Sequence, residues 1–294
     1  MSAGKNRKPA IAIIGSGRLG TALAIALQQK GYAIESVIAR RRASARNAAR
    51  LLDAKPVALA VDEIRDLPAA ELLIIATPDD QIATVVDWLN RLKTGDSRKP
   101  TVLHTSGALS AKILAPLSKK GWTVGSLHPL ASVSEPRSGA LALRGAYWCV
   151  EGDAAAVRLG KKIVHDLAGR SFSIASDFKP LYHAAAVMTA GNVVALFDIA
   201  LEILGQCGLK KKEAQRVLLP LLLTAVQNLD GKDPAKALTG TFSRGDVETV
   251  KRHLAALKSN ALPDALELYR LLGKRSLQLS KRNSPAITQI LESV

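Results

Sequence analysis

Short runs of β-branched and aliphatic residues alternate with amphipathic stretches along the chain up to about Ser176. Helical patterns fill Leu19–Lys30, Gln81–Leu92 and Ala154–Leu167. Strands are predicted at Ile11–Ile14, Ala33–Ile38, Leu72–Ala76, Thr101–His104, Thr123–Ser126, Tyr147–Val150 and Ser171–Ile174. Strands that alternate with helices are typical of βαβ units. We therefore expect an α/β fold here, a doubly wound and mainly parallel sheet.

Beyond Ser176 the strand pattern stops, and the remaining residues indicate one helix after another. Turn signals separate these helices near Gly208, Gly231–Pro234, Thr239–Gly245 and Asn260–Pro263. The pattern thus predicts an α/β domain of residues 1–177, followed by an all-α domain of residues 178–294. Residues 1–8 are expected to form a flexible basic tail.

One apolar stretch, Ala184–Gly205, approaches the length of a membrane span. It contains Asn192, Asp198 and Glu202, and a charged side chain at mid-membrane costs about 2.5–3.5 kcal/mol. We therefore interpret the stretch as a buried helix of a soluble protein and expect no membrane.

Composition narrows the functional classes. Hydrophobic residues make up 48% of the 294 residues and charged residues 22%, as in folded globular proteins. Both cysteines, Cys149 and Cys207, lie in apolar contexts, so we expect neither a disulfide framework nor a zinc site. The N-terminal sequence also lacks the apolar core of a signal peptide. These features predict a cytoplasmic protein.

The formal net charge of +16 is open to two interpretations. It indicates either a solvated basic surface or an anionic partner, such as a phosphorylated cofactor, an acidic substrate or nucleic acid. Aromatic residues make up only 4% of the chain and are not interleaved with the basic residues. Since single strands are bound by stacking on aromatic rings, we do not expect nucleic acid to be the partner.

The first predicted strand runs directly into a glycine-rich turn that opens a helix. The turn consists of Gly15, Ser16, Gly17, Arg18, Leu19 and Gly20. Between a strand and a helix, this spacing is the fingerprint of a dinucleotide-binding Rossmann fold. The first glycine permits the tight turn, the second lets the backbone approach the pyrophosphate, and the third lets helix and strand pack closely. The helix N-terminus then presents unpaired N–H groups to the phosphates.

The end of the second predicted strand indicates which dinucleotide is bound. NAD-selective sites place Asp or Glu there to hold the ribose 2′-hydroxyl. This sequence has Arg40 instead, with Arg41, Arg42 and Ser44 close behind. A guanidinium group binds a 2′-phosphate in bidentate fashion, whereas a carboxylate repels it. NADP is therefore predicted, through Arg40, Arg41 and Ser44, although a solvated basic loop would show the same pattern.

The carboxyl ends of the predicted strands Leu72–Ala76 and Thr101–His104 are expected to lie at the edge of the sheet where ligands bind. Residues expected to border the cofactor are Ala76, Thr77, Pro78, Thr105 and Ser106. Ser106 can also donate a hydrogen bond to a substrate oxygen. His104 and His128 lie at the ends of consecutive predicted strands. Two histidines in this arrangement indicate catalysis better than either histidine alone.

Three further candidates lie beyond the predicted sheet. His183 and Asn192 are nine residues apart and lie on opposite faces of an ideal helix, so both face one site only if the helix bends or begins after His183. Arg244 is expected to pair with Asp246 or to reach an anionic ligand. The candidate catalytic residues are thus Ser106, His128, His183, Asn192 and Arg244. His183 is the first choice for proton transfer, since the reference pKa of imidazole is near ~6.5.

Six segments resemble one family along nearly the whole chain. In order they are GSGRLG, HTSGAL, GSLHPL, YHAAAVMTAGN, LLPLLLTAVQN and LTGTFSRGDVETVKRHL. The family comprises Rossmann-like oxidoreductases whose C-terminal half is a domain of unknown function. It is similar to the group of 6-phosphogluconate dehydrogenase, β-hydroxyacid dehydrogenases, pyrroline-5-carboxylate reductase and prephenate dehydrogenase. The resemblance implies an N-terminal NADP-binding domain and an all-helical C-terminal domain that commonly dimerises.

The sequence departs from these relatives in two places. β-Hydroxyacid dehydrogenases carry a catalytic lysine four residues before an asparagine on the first helix after the Rossmann domain. Counting back from Asn192 gives Met188, and no lysine lies between Leu181 and Leu209. Alcohol oxidation by that lysine mechanism is therefore not expected. The second departure is Thr241, which replaces the usual proline after LTG.

The residues and the resemblance together predict an NADP-dependent oxidoreductase acting on a small, anionic carbonyl, hydroxy or imine compound. The alternative is a non-catalytic NADP(H)-binding sensor or regulatory protein, because a fold alone does not establish chemistry. A homodimer through the C-terminal helices is also expected. The apolar helices at Val187–Leu204 and Val217–Val226 offer more hydrophobic surface than a small domain buries alone.

Titration with NADPH and NADH tests the cofactor prediction. Binding is followed by quenching of tryptophan emission from Trp88, Trp122 and Trp148, together with nicotinamide fluorescence. We expect tight binding of NADPH and much weaker binding of NADH, because guanidinium groups recognise the 2′-phosphate. Equal binding would contradict the interpretation of Arg40–Ser44. If neither nucleotide binds, the glycine motif is only a turn, and an enzyme is no longer supported.

Overall fold

The computed structural model describes residues 7–66, 68–92, 99–280 and 284–293. The chain divides into two compact units, Met1–Ala190 and Gly191–Val294. We call them the sheet unit and the helical unit. The predicted domain boundary near residue 177 marks where the strands end and remains a prediction. Of the predicted basic tail, residues 1–6 lie outside the described residues.

The described part of the sheet unit is built on eight strands. They are β1 (Ile11–Ile14), β2 (Ile34–Ala39), β3 (Val57–Ala60), β4 (Leu72–Ile75), β5 (Thr101–His104), β6 (Thr123–Leu130), β7 (Tyr147–Gly152) and β8 (Arg170–Phe172). Their order across the sheet is β3-β2-β1-β4-β5-β6-β7-β8. All neighbouring strands are parallel except β6 and β7, which are antiparallel. The predicted mainly parallel α/β fold is confirmed.

Seven α-helices belong to the same described part. They are α1 (Arg18–Gln28), α2 (Arg42–Ala49), α3 (Asp79–Arg91), α4 (Ala115–Lys119), α5 (Pro136–Ala142), α6 (Ala154–Asp166) and α7 (Lys179–Thr189). Alternate residues of β1 face opposite sides of the sheet. Ile11 and Ile13 join a hydrophobic cluster with α1, α2, α5 and α6. Ala12 and Ile14 join a second cluster with α3 and α4. Helices therefore cover both faces of the sheet, as the near-continuous apolar strands require.

Two strands, β3 and β6, differ most from the prediction, and β2, β4, β7 and β8 differ from it by one or two residues at their ends. β3 was not predicted, because its four residues VALA include the exposed Val57 and two alanines, which carry little strand signal. β6 continues past the predicted end at Ser126 as far as Leu130. Pairing with the antiparallel β7 holds this extension, with His128 opposite Cys149 and Pro129 opposite Trp148. His128 therefore lies inside the strand, two residues from its end.

The helical unit contains the remaining seven helices of the described chain. They are α8 (Gly191–Gln206), α9 (Lys211–Gln227), α10 (Pro234–Ala237), α11 (Thr241–Arg244), α12 (Val247–Ser259), α13 (Pro263–Ser280) and α14 (Pro285–Ser293). Its main core joins α12, α13 and α14 through Val250, Leu254, Leu277, Ile287 and Leu291. A smaller cluster around Leu257, Leu262 and Ala265 packs against Ile199 and Ile203 of α8. The described part of this unit contains no strand, as predicted.

The interpretation of Ala184–Gly205 as one buried helix is wrong for the single chain. The stretch is divided at Ala190, whose φ and ψ of −114° and −74° end α7 before α8 begins. Of the residues of α8, all of them described, only Leu201 is buried. Apolar side chains such as Met188 and Val194 are 66% and 69% exposed. The few core helices of this unit cannot cover every apolar face of α8, and the sequence does not reveal what would.

By length and composition, the helical segment Ser176–Gln206 is a candidate membrane span. Only 6% of its most apolar window is buried. Core helices of soluble proteins meet the same length and composition criterion.

Candidate active site

The glycine-rich turn after β1 has the geometry that each of its glycines predicts. Gly15 has a φ of +116°, a conformation that side chains disfavour. A Cβ at Gly15 would collide with the backbone of Ala76 and lie 2.9 Å from Thr77 N. A Cβ at Gly20 would overlap Gly15 O and lie 3.2 Å from Ala76 Cβ. The turn therefore packs closely against the residues that follow β4, and the start of α1 packs closely against the turn.

Gly17 faces open space instead. No heavy atom lies within 4 Å of a Cβ built on it, and Gly17 is the N-cap of α1 without a side-chain hydrogen bond. The backbone N–H groups of this helix N-terminus are thus accessible to an anion. The arrangement fits the pyrophosphate of a dinucleotide.

The arginines after β2 do not all have the same freedom. Arg42 pairs with Glu63 at 3.0 Å and donates a hydrogen bond to Ala58 O. Arg40 and Arg41 are exposed and form no ion pair with another described residue. Their guanidinium groups, together with the exposed Ser44 hydroxyl, are therefore available to a phosphate, whereas Arg42 secures the loop to β3.

The ends of β4 and β5 lie beside the glycine turn in the sheet order. Ala76 N donates to Ile14 O of β1, and Thr105 N donates to Ile75 O of β4, so the strand ends are hydrogen-bonded to each other. The Thr77 hydroxyl is buried without a hydrogen-bond partner among the described residues. An unpartnered buried hydroxyl is costly, and a bound ligand at this edge would satisfy it.

A polar cluster lies at the ends of β5 and β6, within the sheet unit. Ser106 is 6% exposed, and its Oγ accepts hydrogen bonds from the amides of Ala108 and Leu109 at 3.2 and 2.9 Å. Its own amide donates to Nδ1 of the fully buried His104 at 3.2 Å. His104 thus shapes the loop after β5, and Ser106 is held at its tip.

His128 is oriented by Tyr182 of α7. Its Nδ1 lies 2.7 Å from the Tyr182 hydroxyl. The His183 ring packs edge-on against His128, with ring centroids 5.5 Å apart. His183 Nδ1 is buried and has no hydrogen-bond partner in the described part of the chain. Two imidazoles and a phenol therefore share one site.

Gly107 is the residue that lets the two imidazoles approach the backbone. A Cβ built there would overlap His183 Nδ1 and lie 2.7 Å from His128 Nε2. Both nitrogens thus lie close to the Gly107 α-carbon. A reacting atom within hydrogen-bond distance of both nitrogens would meet two proton-transfer groups at once.

Burial sets the protonation state of this cluster. It lowers the pKa of His128 to about 4, with further contributions from the positive charge of Lys179 and from His183. It lowers the pKa of His104 to about 3, again with Lys179 contributing. Burial also raises the pKa of the Tyr182 hydroxyl. At neutral pH His128 and His104 are therefore uncharged, and Tyr182 keeps its proton.

Two family models match the chain. Residues 2–129 match a Rossmann-like domain, and residues 146–276 match a domain of unknown function, DUF2520. The chain joins a Rossmann-like domain to a DUF2520 domain. This confirms the resemblance. The polar cluster draws on both regions, since Ser106 and His128 lie in the first match, and Tyr182 and His183 lie in the DUF2520 match.

Solved structures with the same fold extend over nearly the whole chain. BF3122 from Bacteroides fragilis, described as a candidate NADP oxidoreductase, has 23% identity and a TM-score of 0.75, with 92% of this chain and 98% of that chain covered. Protein TM1727 from Thermotoga maritima has 25% identity and a TM-score of 0.67 over the same shares. A reductive aminase from Aspergillus terreus, in complex with an NADPH-type cofactor, cyclohexanone and allyl amine, has 18% identity and a TM-score of 0.63, covering 97% and 99%. No functionally curated protein matches the sequence.

The DUF2520 region contributes two site residues that the sequence analysis did not name, Tyr182 and Lys179. Lys179 is the first residue of α7 and lies two residues before Leu181, where the lysine-free stretch begins. Its side chain is fully buried, and Nζ donates to Ser106 O at 2.9 Å and to Ser126 Oγ at 2.7 Å. The spacing of Lys179, Tyr182 and His183, three and four residues along a helix, places them on one face and could have revealed it.

Two candidates of the DUF2520 region belong to the helical unit. Asn192 is the second residue of α8, so the helix that carries it is separate from the helix of His183. Arg244 pairs with Asp246 at 2.8 Å, one of the two alternatives expected for it. Catalytic roles for both remain predictions.

Substitution of Gly107 by alanine tests the approach of the two imidazoles. We expect Gly107→Ala to displace His128 and His183 and to lower turnover much more than NADPH affinity, because the glycine turn that fits the pyrophosphate lies at another strand end. Crystal structures and NADPH titration of the variant provide the measurement. Gly191→Ala is the control, because a Cβ at Gly191 meets nothing within 4 Å and the φ of this glycine is not positive. A Gly107→Ala enzyme with unchanged imidazoles and rate would contradict the site.

Proposed function

We propose that this protein is an NADP-dependent oxidoreductase that transfers a hydride between NADP(H) and a small, anionic carbonyl, hydroxy or imine compound. The observation that carries the proposal is the position of the His128, His183 and Tyr182 cluster. Its strand residue, His128 of β6, lies three strands from the glycine turn and towards the same edge of the sheet. Ligands bind at this edge in doubly wound folds.

Several described residues fit an NADP cofactor. The open backbone at Gly17 suits the pyrophosphate, and the available guanidinium groups of Arg40 and Arg41 suit a 2′-phosphate. The unpartnered hydroxyl of Thr77 supplies a polar contact at the neighbouring strand end. When bound, the nicotinamide supplies the hydride chemistry. The similarity to BF3122 and to the reductive aminase supports the same cofactor. The remaining proposed contacts come from Ser16, Arg18, Leu19, Ala76, Pro78 and Thr105.

The geometry favours His128 over His183 as the proton donor. Tyr182 keeps its proton and donates it in a hydrogen bond to His128 Nδ1, which leaves the imidazole proton on Nε2. His128 Nε2–H lies beside Gly107 and is proposed to donate to the substrate oxygen or nitrogen. Since the pKa of His128 is lowered to about 4, the imidazole is neutral at neutral pH. Nδ1 therefore takes up the Tyr182 proton as Nε2 gives up its own, and the phenol is the group that finally loses a proton. His183 has no such orienting partner among the described residues.

The other candidates have supporting roles. Ser106 orients the substrate from the loop after β5, and its Oγ–H remains free to donate while the oxygen accepts from two amides. Asn192 and Arg244 belong to the helical unit, and their roles in binding polar and anionic groups remain predictions.

Replacement of the two histidines tests the assignment and separates an enzyme from a sensor. We expect His128→Gln to lower turnover of a keto acid or cyclic imine by about 10²–10⁴, as loss of a general acid does, with NADPH affinity retained. The measurement is nicotinamide absorbance, with fluorescence for binding. His165→Gln is the control, since His165 is exposed on α6.

Each other outcome has a distinct meaning. A larger loss in His183→Gln than in His128→Gln would reverse the assignment of the proton donor. A wild-type protein that binds NADPH but turns over none of the keto acids and cyclic imines tested would favour a non-catalytic sensor instead.

We also propose a homodimer formed through the exposed apolar faces of α8 and α9. Val217, Leu219, Leu221, Leu223 and Val226 of α9 are 41–67% exposed. Exposed apolar side chains in this number on one helix are typical of an interface.

Sedimentation of the wild type and of Leu221→Glu tests this interface. We expect the wild type to sediment as a dimer and the variant to dissociate, because a carboxylate loses its hydration when an apolar interface buries it. Gln278→Glu introduces the same charge at an exposed position of α13 and serves as the control. A wild-type monomer at micromolar concentration would refute the dimer.

A further inference from the structure

Among the described residues of the sheet unit, Lys179 has the most deeply buried charged side chain, and the proposed proton transfer does not use it. Lys179 is fully buried, and its Nζ has two neutral oxygen partners, Ser106 O and Ser126 Oγ. Burying a lysine costs side-chain entropy and the hydration of the ammonium group. Two hydrogen bonds of 2.9 and 2.7 Å offset part of that cost, because bonds from a charged donor are stronger than neutral ones.

The contacts of Lys179 join three elements of the proposed site. Ser106 lies on the loop after β5, and Ser126 lies two residues before His128 on the same face of β6. On α7, Tyr182 lies one turn further along and reaches His128. The ammonium group and the phenol therefore connect α7 to β6 at two points, one on each side of Leu127.

The charges that surround Lys179 come from several elements. Burial lowers its pKa, whereas Cys149 and Glu151 of β7 and Asp79 of α3 act in the opposite direction. Its positive charge in turn disfavours protonation of His104 on β5 and of His128. Glu151 is itself occupied by the amide of Ala111 at 2.7 Å and the hydroxyl of Ser176 at 2.9 Å.

We propose that Lys179 is a positioning residue, whose ammonium group ties the loop after β5 and strand β6 to α7, keeps His128 oriented and holds a positive charge near it. The catalytic importance of this tie rests on the proposed function. The tie itself is a property of the folded chain and is measured without turnover. Lys179 is thus distinct from a catalytic base, because its protons are directed to backbone and hydroxyl oxygens.

Replacement of Lys179 by methionine tests the electrostatic part. The histidine titrations of the NADPH-free protein are followed by NMR, with His128 assigned from His128→Gln. We expect Lys179→Met to raise the pKa of His128 by about one unit or more, because a nearby like charge is removed and water enters. Lys161→Met removes an exposed lysine of α6 and should leave that titration unchanged.

An unchanged His128 titration in a folded Lys179→Met protein would overturn the proposal, even if its melting temperature falls. A parallel NADPH titration keeps the two proposals apart. Failure of the wild type to bind NADPH would refute the proposed function, while the His128 titration would still decide the role of Lys179.

Ser126→Ala carries the test if Lys179→Met does not fold. This variant removes one acceptor of the ammonium group and only one side-chain atom. We expect faster hydrogen exchange at the amides of Ala108 and Leu109, because the loop after β5 loses part of its support. Ser173→Ala removes a comparable hydroxyl, bonded to Val150 O at 2.8 Å, and should leave that loop unchanged. Equal exchange in both variants would overturn the proposal.

Discussion

Hydrogen bonding between parallel strands is the constraint on which the rest of the sheet unit depends. Parallel pairing of β1, β4, β5 and β6 brings their carboxyl ends to one edge, although these segments are far apart in sequence. The glycine turn, Thr77, Ser106 and His128 lie towards the same edge of the sheet for this reason. Antiparallel pairing with β7 then extends β6 beyond Ser126, so that His128 lies within a paired strand.

The site also shows how a dry interior controls protonation. A buried ammonium group and buried imidazoles cannot all carry charge in a medium of low polarity. The two hydrogen bonds of Lys179 favour charge on the lysine, and His104 and His128 remain neutral. The neutral state of the two imidazoles is thus mainly a consequence of burial, to which the positive charge of Lys179 adds.

The sequence predicted those parts of the structure that depend on local patterns. Gly15, Gly17 and Gly20 are recognisable because strand, turn and helix follow one another along the chain. Lys179 was missed, since a lysine beside a proline at a helix start resembles a solvated one, and its burial depends on Ser106 and Ser126, which belong to distant parts of the sequence. The misjudged burial of α8 has a related cause, because an apolar pattern specifies which face avoids water and leaves open what covers it. The length of β6 likewise depends on its partner β7.

The distribution of aromatic residues has a consequence for following the folding of the chain. Trp88, Trp122 and Trp148 all belong to the sheet unit, and Trp148 is fully buried there. Tyr269 is the one tyrosine of the helical unit, which contains no tryptophan. Tryptophan emission during denaturation therefore reports the melting of the sheet unit only. Far-ultraviolet circular dichroism follows the helices of both units, so a difference between the two transitions would measure how far the units unfold independently.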